Sequence, residues 1–227
     1  MIRLGVPSKG RLMEQCFAWF GARGLRLLRT GSEREYAGRV EGADVTLVLL
    51  AANEVPRELA AGRVHLGVTG TDLVREKLPL WERAVEAVAP MGFGHADLVL
   101  AVPRLWADVD TLDDLDAVAA QFRKLHGHRL RIATKYHRLV RVFLRAHGVA
   151  DYALVDSQGA TEGTVLNGTA EAIADITSTG ETLRANHLKV LDDGLVLRSE
   201  ATLYRARQAP WDEAARAVME ELRPRLR

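Results

Sequence analysis

Short apolar runs and helical stretches alternate along almost the whole chain, and this alternation restricts the fold more than any other feature. Ile2 to Val6 has the length of a strand, and Arg11 to Arg23 places Leu12, Cys16, Trp19 and Phe20 on one helical face. Val45 to Leu50 reads as a buried strand, Pro56 to Ala61 as a short helix closed by Gly62, and Leu66 to Thr69 as another strand. The same rhythm continues with a strand at Asp97 to Val102, a helix at Leu112 to His126 and a strand at Leu130 to Ala133. A helix at Tyr136 to His147 and a strand at Tyr152 to Val155 follow. Leu188 to Leu191 and Leu195 to Tyr204 are strand-like, and Trp211 to Leu222 is an amphipathic helix. Such alternation predicts α/β layers with mostly parallel strands. In Pro90-Met-Gly-Phe-Gly-His95 two close glycines interrupt the apolar pattern, so this segment is the expected hinge of a two-lobed chain with a ligand cleft.

Composition narrows the function classes. Thirty-one basic residues stand against 30 acidic ones, a net charge of +1, which argues against a general nucleic-acid binder but leaves room for a local cationic pocket. The single cysteine, Cys16, can form no disulfide within the chain and reads as a small buried residue of a protein in a reducing compartment. No signal peptide is visible, and no apolar run approaches the roughly 20 residues that span a bilayer. A cytoplasmic location and no membrane contact are expected.

The stretch Ala174-Asp-Ile-Thr-Ser-Thr-Gly-Glu-Thr-Leu183 holds the strongest local chemistry. A strand-like run carrying Asp175 breaks into a turn at Thr177, Ser178, Thr179, Gly180, Glu181 and Thr182 before a helical pattern begins at Leu183. Free backbone N–H groups at a helix start, a glycine that lets backbone approach closely, and several hydroxyls can cradle a phosphate, with Asp175 accepting from a ribose diol. The same residues also make an ordinary hydroxyl-capped turn with an exposed Asp. Two further turns repeat this logic. Ser8-Lys9-Gly10-Arg11 follows the first strand and could hold an anion through Lys9 and Arg11, or be a solvated basic turn. Gly67-Val-Thr-Gly70-Thr71-Asp72 is a glycine turn at a helix start, or simply a capped one.

Other patterns point away from familiar chemistries. Gly92-Phe-Gly-His-Ala-Asp97 looks superficially like a dinucleotide fingerprint but precedes a strand instead of following one. His126 and His128 flank a glycine without convincing metal-ligand spacing. No Gly-x-Ser-x-Gly or Cys/His pairing supports a covalent nucleophile. The basic residues of Arg131 to Arg145 fall partly on one helical face and read as solvated.

Taken together, Glu162-Gly-Thr-Val-Leu-Asn-Gly168-Thr-Ala170-Glu-Ala-Ile173-Ala-Asp175-Ile-Thr-Ser178-Thr-Gly180-Glu-Thr182-Leu183 resembles the signature of the ATP phosphoribosyltransferase catalytic subunit. That signature is a Glu, five residues, Gly, a small residue, and an apolar-Asp stretch ending in Ser/Thr-Thr-Gly-x-Thr-Leu. Pro7 to Leu12 resembles the family's PKGRL block, and Gly67 to Asp72 its GxTGxD turn. Met91 to Pro103 and Arg131 to Val149 are similar to its two middle blocks. Two positions depart from the pattern: Ala51 stands where the family commonly has Arg, with Arg57 nearby, and Thr164-Val165 stands where Ala-Pro is frequent.

The resemblance implies a periplasmic-binding-protein-like (type II) two-lobed fold. Residues 1–92 with 187–227 would form the first lobe, and residues 93–186 the second. It also implies a reaction that joins N1 of ATP to C1 of phosphoribosyl pyrophosphate and releases pyrophosphate, opening histidine biosynthesis. Positioning and charge stabilisation should dominate, because adenine N1 has its own lone pair and pyrophosphate with Mg²⁺ is a good leaving group. By the same resemblance Ser178 to Thr182 would hold the 5′-phosphate, Asp175 the ribose hydroxyls, and Glu162 would lie near the ribose or the Mg²⁺. Lys9 and Arg11, with Arg34, would face pyrophosphate, and Gly70, Thr71 and Asp72 would help to place ATP. Only about 23 residues follow Tyr204, as in the short form of the family. That form pairs with a regulatory subunit resembling histidyl-tRNA synthetase, as a hetero-octamer. The competing class is a non-catalytic small-anion-binding module of the same two-lobed fold.

Overall fold

The computed structural model describes residues 1–30, 37–157 and 159–226. Its contacts divide the chain into two units, Met1–His95 with Glu200–Arg227, and Ala96–Ser199.

The first unit opens with β1 (Ile2–Pro7), α1 (Gly10–Gly21), β2 (Arg26–Arg29), β3 (Ala37–Glu41) and β4 (Val45–Leu50). It continues through α2 (Val55–Ala60), β5 (Leu66–Gly70), α3 (Thr71–Lys77), α4 (Trp81–Ala84) and β6 (Val85–Pro90). The second unit runs β7 (Ala96–Pro103), α5 (Leu112–His126), β8 (Leu130–Thr134), α6 (His137–Ala146) and β9 (Tyr152–Asp156), then α7 (Gly163–Leu166), β10 (Ala172–Thr177), α8 (Glu181–Ala185) and β11 (Leu188–Ser199). The chain then returns to the first unit as β12 (Ala201–Ala206) and α9 (Glu213–Leu222).

The first sheet has the order β2-β3-β4-β1-β5-β12-β6. β1 lies at its centre, parallel to β4 and β5, and buries five of its six residues, as the unbroken apolar run requires. Cys16, Trp19 and Phe20 of α1 join one core with Ile2, Leu4 and Val6, and α9 closes it with Ala215, Met219 and Leu222. Asp212 caps α9 by accepting the Ala215 N–H at 2.7 Å. Gly67 of β5 is a packing requirement, since a Cβ there would lie 2.7 Å from Val55 Cγ1 and 3.0 Å from Leu59 Cδ1 on α2.

The second sheet has the order β11-β7-β10-β8-β9. β10 runs parallel to β8 and antiparallel to β7, and its residues Ala172, Ile173 and Ala174 are fully buried. α5 begins in a reciprocal cap, with Asp114 Oδ2 accepting the Thr111 N–H at 2.9 Å and the Thr111 hydroxyl accepting the Asp114 N–H at 3.3 Å.

Three expectations need correction. Strands are not mostly parallel: six of the ten described pairings are antiparallel, because the β2-β3-β4 meander, the returning β11 and β12, and the β7–β10 pair all run antiparallel. Leu195 to Tyr204 is not one strand: it breaks at Glu200, between β11 and β12, which belong to different sheets. The chain therefore re-enters the first unit at Glu200, not at residue 187, because Leu188–Ser199 pairs along β7. Among the described residues no helix is long and apolar enough to cross a membrane.

Candidate functional site

β10 delivers the phosphate-loop candidates. Its apolar residues hold the strand in the core up to Ala174, and the chain emerges at Asp175 and the partly exposed Ile176. The turn that follows satisfies its own backbone. The Gly180 N–H donates to the Thr177 hydroxyl at 2.8 Å, and the Glu181 N–H donates to that of Thr179 at 3.4 Å. Arg184 reaches back to the Thr179 carbonyl at 3.0 Å. Gly180 has φ 71° and ψ 4°, a left-handed conformation that glycine adopts without strain. The amides that a phosphate would need are therefore the ones that these hydroxyls accept from. An anion seated here would take over amides that the threonine hydroxyls now accept, a substitution of one oxygen acceptor for another.

A cavity of ≈ 360 Å³ opens beside this turn and collects Glu162, Asp175, Thr177 and Thr182 with Lys135. Thr182 and Thr177 come from the two sides of the turn, whereas Glu162 comes from the segment ahead of α7. Ser178, Thr179 and Glu181 are exposed on the turn, and Gly180 is half-buried. The opposite end of β10 is braced at Glu171, immediately before the strand. Glu171 accepts the Arg131 N–H at 2.7 Å and pairs with its guanidinium, while Arg131 also donates to the Gly168 carbonyl at 2.9 Å. Burial pushes the Glu171 carboxyl up, but the bonds from Arg131 outweigh it and hold the group below its ordinary value.

The remaining candidates lie in the first unit, at the C-terminal ends of its parallel strands, where open α/β sheets place their ligands. Lys9 is the extended residue that starts α1, and both Lys9 and Arg11 are exposed. Gly70, Thr71 and Asp72 join β5 to α3. Because β1 and β5 pair in parallel with Gly5 opposite Gly67, these two turns emerge from the same end of the sheet. Asp72 is buried, and the Thr71 hydroxyl already lies 3.3 Å from that of Thr202 and accepts from the Tyr204 hydroxyl at 3.2 Å. Thr71 is thus tied into the unit's own packing, whereas Lys9 and Arg11 project outward. Arg34 falls outside the described residues. At the Ala51 departure, Arg57 lies 3.8 Å from Glu58 and is mostly exposed.

Two cations were missed by sequence reasoning. Lys135 had been absorbed into the solvated basic run Arg131 to Arg145; the usable signal was its place directly after a strand, where side chains reach a ligand edge. Arg29 donates to the Ser8 carbonyl at 2.8 Å and so borders the Lys9 turn, a proximity that only the pairing of distant segments creates. The His126 and His128 rings pack on Phe122, with centroids 4.2 and 5.3 Å away.

The structure thus presents a two-unit α/β chain with a glycine-hydroxyl turn, a carboxylate-lined cavity beside it and exposed cations at the ends of the first sheet's parallel strands. Comparison with known proteins narrows this. Residues 51–227 match the model of the family described as HisG: ATP phosphoribosyltransferase. An ATP phosphoribosyltransferase of Cereibacter sphaeroides is 71% identical over 94% of this chain and 91% of its own. One of Mesorhizobium japonicum is 54% identical over 92% of this chain and 91% of its own. Among solved structures, the ATP phosphoribosyl transferase (HisG:HisZ) complex from Thermotoga maritima shares the fold, with a TM-score of 0.73 at 23% identity over 100% of this chain and 98% of that one. The periplasmic aliphatic sulphonate binding protein SsuA from Escherichia coli shares it more distantly, with a TM-score of 0.57 at 16% identity over 99% of this chain and 70% of that one. The chain belongs to the ATP phosphoribosyltransferase family and is a transferase of histidine biosynthesis.

Proposed function

We propose that the turn after β10 seats the 5′-phosphate of phosphoribosyl pyrophosphate and that Asp175 holds its ribose hydroxyls. The reaction is that of the family: N1 of ATP is joined to C1 of phosphoribosyl pyrophosphate and pyrophosphate leaves, the first step of histidine biosynthesis. The single observation that carries the site assignment is the cavity in which Glu162, Asp175, Thr177 and Thr182 meet beside the Gly180 turn.

In this reading Ser178, Thr179, Gly180, Glu181 and Thr182 supply backbone N–H groups and hydroxyls to the phosphate, and Thr177 lends its hydroxyl as the turn reorganises. Because α8 spans only five residues, its dipole is small, and the cradle rests on local donors. Lys9 and Arg11 neutralise the departing pyrophosphate, and Gly70, Thr71 and Asp72 help to place ATP. Adenine N1 attacks with its own lone pair, so these residues orient and screen charge without forming a covalent bond.

Mg²⁺ fits this donor set as an adjunct. The acidic residues lining the cavity are Glu162 and Asp175, and hard oxygens of this kind suit a cation held mainly by substrate phosphates. Glu162 would complete its shell; the ion's contribution is to neutralise charge on the pyrophosphate leaving group.

We further propose a separate regulatory subunit resembling histidyl-tRNA synthetase, in a hetero-octamer bringing feedback by histidine. A solved HisG:HisZ complex, a chain of which shares this fold, supports the existence of such a partner. Formation of the N1-phosphoribosyl product from ATP and phosphoribosyl pyrophosphate with Mg²⁺, followed by ultraviolet absorbance with and without the partner, tests these assignments. No product under either condition would refute the activity. A chain that runs alone, fully active and fully inhibited by histidine, would refute the partner. The non-catalytic anion-binding reading predicts binding without turnover.

A further inference from the structure

Lys135 is the one cation among the residues lining the cavity that holds Glu162 and Asp175. Its place is set by backbone, not by the reach of a long side chain. β8 and β10 pair in parallel with Thr134 opposite Ala174, so Lys135 and Asp175 leave neighbouring strands side by side. The turn carrying Lys135 is pinned, because the buried Thr134 hydroxyl accepts the Tyr136 N–H at 2.9 Å and Tyr136 is itself buried.

The contacts of Asp175 are asymmetric. Its Oδ1 accepts the Ile176 N–H at 2.8 Å, and the Lys135 ammonium lies 3.4 Å from that same oxygen. Oδ2 has no protein partner among the described residues. The Asp175 side chain is 12% exposed, against 42% for Lys135. A carboxylate held on one oxygen from two directions presents the other oxygen in a fixed direction.

We propose that Lys135 is a positioning residue for the ribose site, clamping Oδ1 of Asp175 so that Oδ2 is aimed at the sugar hydroxyls. This rests on the assignment of Asp175 to the ribose. Lys135 then acts through Asp175, its loss is felt at the sugar hydroxyls and not at the 5′-phosphate, and the two residues are energetically coupled.

Equilibrium competition binding with ribose 5-phosphate and 2-deoxyribose 5-phosphate as probes separates these contributions, using the full chain and its variants K135M, K135R, D175N and K135M/D175N. A hydrogen bond to a charged carboxylate corresponds to about tenfold in affinity. The unmodified chain is therefore expected to prefer the ribose probe by about that factor. K135M is expected to lose most of the preference while binding the deoxy probe unchanged. K135R restores it in part, and the double variant is no worse than D175N alone. A preference retained in K135M overturns the proposal, as do additive losses in the double variant. Gly180→Val distinguishes the two failures: if it loses both probes while K135M is unaffected, the phosphate turn stands and only the role of Lys135 falls. If Gly180→Val also binds normally, or the unmodified chain does not discriminate the sugars, the underlying site assignment falls with it. Should K135M not fold, as judged by its melting curve, K135Q carries the same comparison.

Discussion

Replacing Gly180 by valine tests the phosphate turn at its most constrained point. The residue sits at φ 71°, ψ 4°, where an L side chain costs about 1–2 kcal/mol. A Cβ built there lies 2.9 Å from Arg184 Nη1, the far end of a flexible side chain. Arg184 can swing away, at the loss of its 3.0 Å bond to the Thr179 carbonyl, which contributes about 1 kcal/mol. The strain of the native turn is thus roughly 2–3 kcal/mol. An unbound variant can escape it, because the turn is exposed and can relax. Binding must restore the left-handed turn, so the strain appears in affinity: a loss of roughly 30- to 150-fold for phosphoribosyl pyrophosphate. Stability should fall by no more than the same 2–3 kcal/mol, a shift of at most about 12 °C for a chain of this size. Titration calorimetry for affinity and a calorimetric melt for stability measure both. An affinity within twofold of the unmodified chain would show that the turn does not hold the phosphate in this conformation.

Other perturbations follow from the same geometry. Asp175→Asn should reduce turnover far more than stability, since the exposed half of its ion pair with Lys135 contributes under about 1 kcal/mol; a large drop in melting temperature with normal turnover would make Asp175 structural. Glu171→Gln should destabilise by about 1–2 kcal/mol near neutral pH by breaking the Arg131 brace. The folded Glu171 carboxyl lies below its ordinary value of 4.5, so its contribution is full above that pH and disappears as pH falls through the folded value; denaturant melts of both forms should therefore converge in acid. Gly67→Ala should cost about 1–3 kcal/mol through its collision with Val55 and Leu59, read as a lower denaturation midpoint. Burial pushes the Cys16 thiol up to about 12, and native protein at pH 8 should resist alkylation by iodoacetamide; rapid labelling would contradict the packing of α1.

Local pattern was enough for what depends on local chemistry. The strand-turn-helix reading at Ala174 to Leu183 and the apolar face of α1 follow from residue type and spacing, and the structure reproduces them. The spacing from Glu162 to Leu183 also fixed the family, because a signature constrains residues within a short window. Pairing between distant segments was not legible. A run such as Leu195 to Tyr204 has strand propensity throughout, and nothing in its composition says that Glu200 separates two sheets. The antiparallel flanks were hidden for a similar reason, since hydrophobic period reports burial and not strand direction. Lys135 belongs with these. Its sequence neighbours made it look like surface charge, and only the register of β8 against β10 sets its ammonium on Asp175. The sequence by itself determined the long apolar strands and amphipathic helices, the strand-to-helix turn at Ala174 to Leu183 and the family. Tertiary structure decided which turns share an edge and which cation meets which carboxylate, because side-chain meetings across strands depend on register.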